Sequence, residues 1–146
     1  MSVIDTIIER LQHKEDDETL LWTDVKELGA LSRLSKQSSG VRNTTLFVFS
    51  QGESPSPDVR GSGPYLQSIT ATFGVVIVAK LYNNDTCDLE PVRQALRKKL
   101  FGWTPSSEHE AFWLGQGKLL SIETNLISWL DNFVTEYTED QNRYGS

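Results

Sequence analysis

Apolar residues in the first dozen positions, Val3, Ile4, Ile7, Ile8 and Leu11, recur at helical spacing. Ser2 with Asp5 three residues on has the form of a capping box, so the segment predicts a short amphipathic helix. The charged run His13–Glu18, with four successive acids from Glu15 to Glu18, reads as a solvated turn. Leu20-Leu21-Trp22 and then Asp24-Val25-Lys26-Glu27-Leu28 suggest a strand end followed by a second short helix. The polar, glycine-containing stretch Ser35–Asn43 reads as a loop.

Thr44–Phe49 is rich in β-branched and aromatic residues and predicts a strand. Ser50–Pro64 then holds three prolines and three glycines, a composition that propagates neither ladder nor helix and predicts a long flexible loop. Tyr65–Leu81 carries the strongest strand pattern, with Ile69, Ala71, Phe73, Val75, Ile77 and Ala79 on one face. Val76 and Val78 make its second half apolar on both faces, which places that half mid-sheet and covered on both sides.

After a turn at Asn83-Asn84-Asp85, Asp88 stands as a helix N-cap and Pro91 in the first turn, where a missing N–H is harmless. Val92, Ala95, Leu96 and Leu100 line one face of the helix, and Gly102 ends it. Phe112-Trp113-Leu114, Gly115-Gln116-Gly117 and Lys118–Ile122 predict a hairpin-like pair of short strands. Leu126–Tyr137 alternates as one long antiparallel strand, and residues 139–146 read as a disordered polar tail. Strands among helices of unequal length, with no repeating βαβ rhythm, predict an α+β domain: a mainly antiparallel mixed sheet with helices packed on it, spanning residues 1–146 as one unit.

Composition narrows the function classes. The chain has 146 residues, of which 38% are hydrophobic, so one core needs no staple. Its formal charge of -6 argues against a body that grips nucleic acid through its phosphates. No apolar run of about 18 residues is present to span a membrane, and the Met1–Asp5 start lacks the pattern of a signal peptide. The single cysteine, Cys87, excludes an internal disulfide and a Cys-pair zinc site.

The residues point to no reaction and to no cofactor or metal. Cys87 with His13 or His109 is a conceivable nucleophile and base, yet Asp85 and Asp88 beside the thiol would blunt it. His109-Glu110 lacks the second histidine of a zinc helix, and neither Gly61-Ser62-Gly63 nor Gly115-Gln116-Gly117 makes a dinucleotide fingerprint. Arg93, Arg97, Lys98 and Lys99 suit the solvated, C-terminal side of an amphipathic helix better than a DNA contact.

The order of segments from Thr45 to Tyr137 carries a resemblance. Thr72-Phe73-Gly74-Val75-Val76-Ile77-Val78, the helix with Leu89, Arg93 and Leu96 ending in Leu100-Phe101-Gly102-Trp103-Thr104-Pro105, Gly117-Lys118-Leu119-Leu120, and Trp129–Tyr137 occur in the order and spacing of one family. In these segments the chain resembles the tail terminator proteins of long-tailed bacteriophages and prophages. The Pro/Gly loop with Arg60 sits where that family carries a variable loop between its first two core strands.

The resemblance implies a structural assembly protein of the virion, not an enzyme. Such a subunit closes with its copies into a homohexameric ring on the head-proximal end of the tail tube, in the host cytoplasm during assembly. It stops the addition of tube protein and presents a surface to the head–tail connector or stopper, while DNA passes through the ring without specific binding. On that reading the partner and subunit contacts are expected at Asp58, Arg60, Tyr65 and Gln67, in and beside a loop that orders on docking. Competing readings are another neck or head-completion protein, a small cytosolic enzyme using Cys87, and a generic dimerising module.

Overall fold

The computed structural model describes residues 2–29, 31–38, 41–57, 65–81, 88–123 and 125–140. Its elements are α1 (Val3–Gln12), β1 (Asp24–Glu27), a 3-10 turn (Leu31–Arg33), α2 (Leu34–Ser38), β2 (Thr45–Pro55), β3 (Leu66–Lys80), α3 (Glu90–Leu100), β4 (Trp113–Glu123) and β5 (Leu126–Asp140). The strands form one sheet in the order β1-β2-β3-β5-β4. Only β1 and β2 run parallel; the remaining neighbours are antiparallel. This is the α+β architecture the sequence predicts.

Alternation along the strands divides the core in two. Leu46, Val48, Phe73, Val75, Ile77 and Phe133 point to the face covered by α1 and α3, where they pack with Ile7, Leu11, Leu96 and Leu100. Phe47, Phe49, Val76, Val78 and Leu130 point to the other face and pack with Leu28 and Leu34. Phe73 through Ala79 are therefore all buried, as a strand apolar on both faces requires. Phe112 closes the helical side with its ring edge-on to Phe73 and Phe133, at centroid distances of 6.1 and 6.3 Å.

Local chemistry sets the helix ends. Ser2 caps α1: its side chain accepts the Asp5 N–H, and the Asp5 carboxylate accepts the Ser2 N–H in return. At α3 the cap position is Leu89 and not Asp88; the Asp88 carboxylate accepts the Glu90 N–H from one residue earlier. Gly102 takes a φ of 78° just past the helix, and its N–H is accepted by the Phe112 carbonyl.

Several predicted elements differ. Asp24–Glu27 is a strand with no helix after it until the 3-10 turn and α2, the latter running into the predicted loop Ser35–Asn43 as far as Ser38. Four residues are too few to show a period, and pairing with Thr45–Val48 decides the matter. The β2–β3 ladder runs on through Pro55 opposite Ile69, six residues into the predicted loop. An irregularity between Ser50 and Gly52 absorbs one residue. The Ser56 N–H donates to Ser68 O, so by alternation the Pro55 nitrogen faces outward, where no ladder bond is lost. Residues 58–64 of that loop, with Asp58 and Arg60, lie outside the described residues, as do the predicted turn Asn83–Asp85 and Cys87.

The predicted hairpin at Phe112–Ile122 is a single strand, β4, pairing with β5 throughout. Gly115-Gln116-Gly117 is a bulge in it: a Cβ on Gly115 would meet Asn132 and Val134, and one on Gly117 would meet Asp131. β5 continues to Asp140, opposite Leu66, two residues into the predicted tail; 141–146 lie outside the described residues.

The basic side of α3 is not uniformly solvated. Lys99 is buried, and its ammonium donates to His13 O at 2.7 Å and Glu18 Oε1 at 2.9 Å, while Arg10 Nε donates to Lys99 O at 3.0 Å. The last turns of α1 and α3 thus exchange cationic donors, satisfying carbonyls each helix end leaves open. Glu18 is therefore not a plain member of a solvated acidic turn. Its hydrogen bond from Lys99, with a second from the Glu15 N–H, holds the carboxyl below the usual carboxylate range.

Candidate interaction surface

Beyond Phe73 the sheet outruns its helical cover. Ser50–Pro55 of β2, Leu66–Thr70 of β3 and Thr135–Asp140 of β5 remain in register as a three-stranded arm. Ser50–Pro55 are exposed throughout, whereas Thr45–Phe49 of the same strand are buried. Side chains brace this arm from edge to edge: the Tyr137 hydroxyl donates to Glu53 Oε1 at 3.0 Å, across the intervening β3. Residues 106–112 lead into β4 alongside it, with the Glu110 N–H donating to Glu136 O and the Thr135 hydroxyl to Glu110 O.

Two of the four predicted contact residues lie on this arm. Tyr65 precedes β3 and is half-buried. Gln67, opposite Glu139 in the ladder, donates its side-chain amide to Ser56 O at 2.7 Å and so fastens the end of β2 to β3. Gln67 is thereby a residue that shapes the arm tip as well as one displayed there. Asp58 and Arg60 belong to the connection between the two strands, outside the described residues.

The arm is acidic. Glu108, Glu110, Glu136 and Asp140 line an open cleft with Leu66 and Tyr137. Carboxylates gathered in this way repel polyanions and attract cationic surfaces. Among the described residues no group of three or more His, Cys, Asp or Glu has the geometry to hold a metal ion.

His13 and His109 lie among the described residues, and Cys87 lies outside them. His13 is exposed and lies 3.3 Å from Glu15. His109 Nδ1 is 2.6 Å from Ser106 Oγ, but that hydroxyl also accepts the Glu108 N–H, and the His109 ring stacks on Tyr137 at 5.0 Å. The trio is a tight turn that seats residues 106–110 on β5.

Arg93, which the sequence places on a solvated helix side, is instead the pin between α3 and β5. Its Nε donates to Asp131 Oδ2 at 3.1 Å and its Nη2 to Asp131 Oδ1 at 3.2 Å, and its guanidinium lies 4.5 Å from the centre of the Trp129 ring. The hydrogen bonds it donates to Asp131 raise the Arg93 pKa further and keep the guanidinium charged.

Sequence reading missed a second surface. Trp113, Leu114 and Leu119 on β4, the last strand of the sheet, are exposed large apolar side chains. The strand order places β4 last, with no further strand beyond it among the described residues.

No helix among the described residues is long and apolar enough to cross a membrane. A family model described as phage tail terminator protein matches residues 4–143, nearly the whole chain. No curated protein matches it.

Proposed function

The chain belongs to the phage tail terminator family, a structural family of the virion tail, and from that premise we propose that it caps the head-proximal end of the tail tube. In this reading six copies close into a ring on the tube end, in the host cytoplasm during assembly. The ring ends tube growth by geometry: its outer face no longer matches a tube subunit and instead suits the head–tail connector or stopper. No bond is made or broken.

The observation that carries the reading is the arm. A three-stranded extension, exposed along Ser50–Pro55 and bridged from Glu53 to Tyr137, offers a surface for docking. Asp58, Arg60, Tyr65 and Gln67, in the chain between and beside its first two strands, are the residues proposed to meet the tube or a neighbouring copy. If residues 58–64 order only on docking, the ordering cost is offset only when tube and neighbour are both present, which makes assembly sequential. The net charge of -6 and the carboxylates beside the arm support a ring whose wall lets DNA slide, because phosphates are repelled.

Deleting residues 58–63 tests this. The expected product folds, with an unchanged far-ultraviolet spectrum, yet fails to cap, so tubes grow abnormally long. Tubes of normal length on electron micrographs would show that this segment does not do the capping.

A further inference from the structure

From the two terminal strands of the sheet we infer that β4 of one copy docks against β1 of the next, continuing the sheet from subunit to subunit. This deepens the ring reading above and rests on it.

The two strands differ in a way that fits them to each other and not to themselves. β4 exposes Trp113 (41%), Leu114 (40%) and Leu119 (45%), the kind of edge that associates unless it is covered. Lys118 is its only charged side chain between Trp113 and Leu120. β1 is the opposite end of the strand order and exposes Asp24, Lys26 and Glu27, with Leu21 (44%) just before it. Glu123 ends the strand, so it is the apolar middle of β4 with its single cation that would face a strand with an acidic excess and one apolar residue beside it.

A two-fold pairing of β4 with a second β4 centred on Lys118 would set that residue against its own copy, a like-charge opposition that costs stability. Pairing β4 with β1 is heterologous, and heterologous contacts are the kind that close rings. Irregularities at Leu114/Gly117 and Leu119/Ser121 break β4 into short segments. Such an edge suits a short partner strand, and β1 has four residues. It does not suit open-ended ladder growth.

The experiment uses the full chain carrying Cys87→Ser, with Leu119→Cys combined in turn with Asp24→Cys, Lys26→Cys or Glu27→Cys, assembled on purified tail tubes and oxidised. At least one combination is expected to give a ladder of covalent oligomers on a denaturing gel, ending at the ring, while each single-cysteine chain stays monomeric. Leu119→Lys is expected to abolish ring formation while the isolated chain keeps its circular dichroism spectrum. Capped tubes on micrographs with no ladder in any combination would overturn this interface and leave the capping reading standing. Leu119→Cys alone forming dimers would show a two-fold contact and overturn it; so would cross-linking of that residue to the tube protein. Tubes left uncapped by the unsubstituted chain would overturn the capping reading and, with it, this interface.

Discussion

Arg93 and Asp131 meet side-on, with Nε to Oδ2 at 3.1 Å and Nη2 to Oδ1 at 3.2 Å, although 38 residues separate them in the chain. Asp131 is buried on the sheet, where its carboxylate accepts this fork and the Trp129 indole N–H, the latter at 3.1 Å. Arg93→Ala strands the carboxylate and is expected to cost about 3 kcal/mol. Arg93→Lys keeps the charge but loses the fork and the stacking on Trp129, and should recover only part of the loss. Thermal unfolding of the three proteins, monitored by circular dichroism, checks the order.

A second prediction concerns Gly74, directly opposite Phe49 in the β2–β3 ladder. A Cβ there would fall 2.5 Å from Phe49 Cε1 and 2.9 Å from Leu130 Cδ1, both in a buried cluster with no room to yield. Gly74→Ala is expected to destabilise by about 1–3 kcal/mol through overpacking. Adding Phe49→Leu should cost less in that background than in the native chain, and urea midpoints of the four proteins give the coupling.

Glu18 and Lys99 supply a pH dependence. Because the folded state holds the Glu18 carboxyl below its ordinary value, the pair stabilises the fold above the unfolded carboxylate pKa of about 4.3 and loses that contribution as pH falls through the folded value. Glu18→Gln should therefore lower the melting temperature at pH 7. The gap from the native chain should close below about pH 4. A gap unchanged at pH 3 would place the effect elsewhere.

Amide exchange should grade along β3. Phe73–Ala79 are buried and flanked on both faces, while Leu66–Thr70 have partners on either side but little cover. The amides of Leu66–Thr70 are expected to exchange faster than those of Phe73–Ala79 by tenfold or more, since arm opening exposes less apolar surface than global unfolding. Gln67→Ala, which leaves Ser56 held to β3 by its backbone N–H alone, should widen that difference at the tip.

The sequence was most legible where a signal is local. Ser2 and Asp5 announce the start of α1 within four residues, and Pro91 marks the start of α3. β3 declares itself by alternation over fifteen residues. Legibility failed where the deciding partner is remote. Lys99 and Arg93 look like surface cations because nothing near them in the chain reveals Glu18 or Asp131. Gly115 and Gly117 have the chemistry of a turn, and only the continuous pairing of β4 with β5 makes them a bulge. Pro55 stops a strand only if its nitrogen faces a neighbour, which depends on register. Of the proposed contacts, Tyr65 and Gln67 are singled out by their place beside the proline-rich stretch, whereas Trp113 and Leu119 read only as parts of short strands, and their exposure on the last strand of the order needs the fold.

β3 and β5 stay in unbroken register over fifteen residues, from Leu66 opposite Asp140 to Lys80 opposite Leu126. Tip and body are accordingly one beam with no hinge between them. A push or twist applied at Leu66 would act on a ladder that runs without a bulge to Val75 and Ile77 in the buried core.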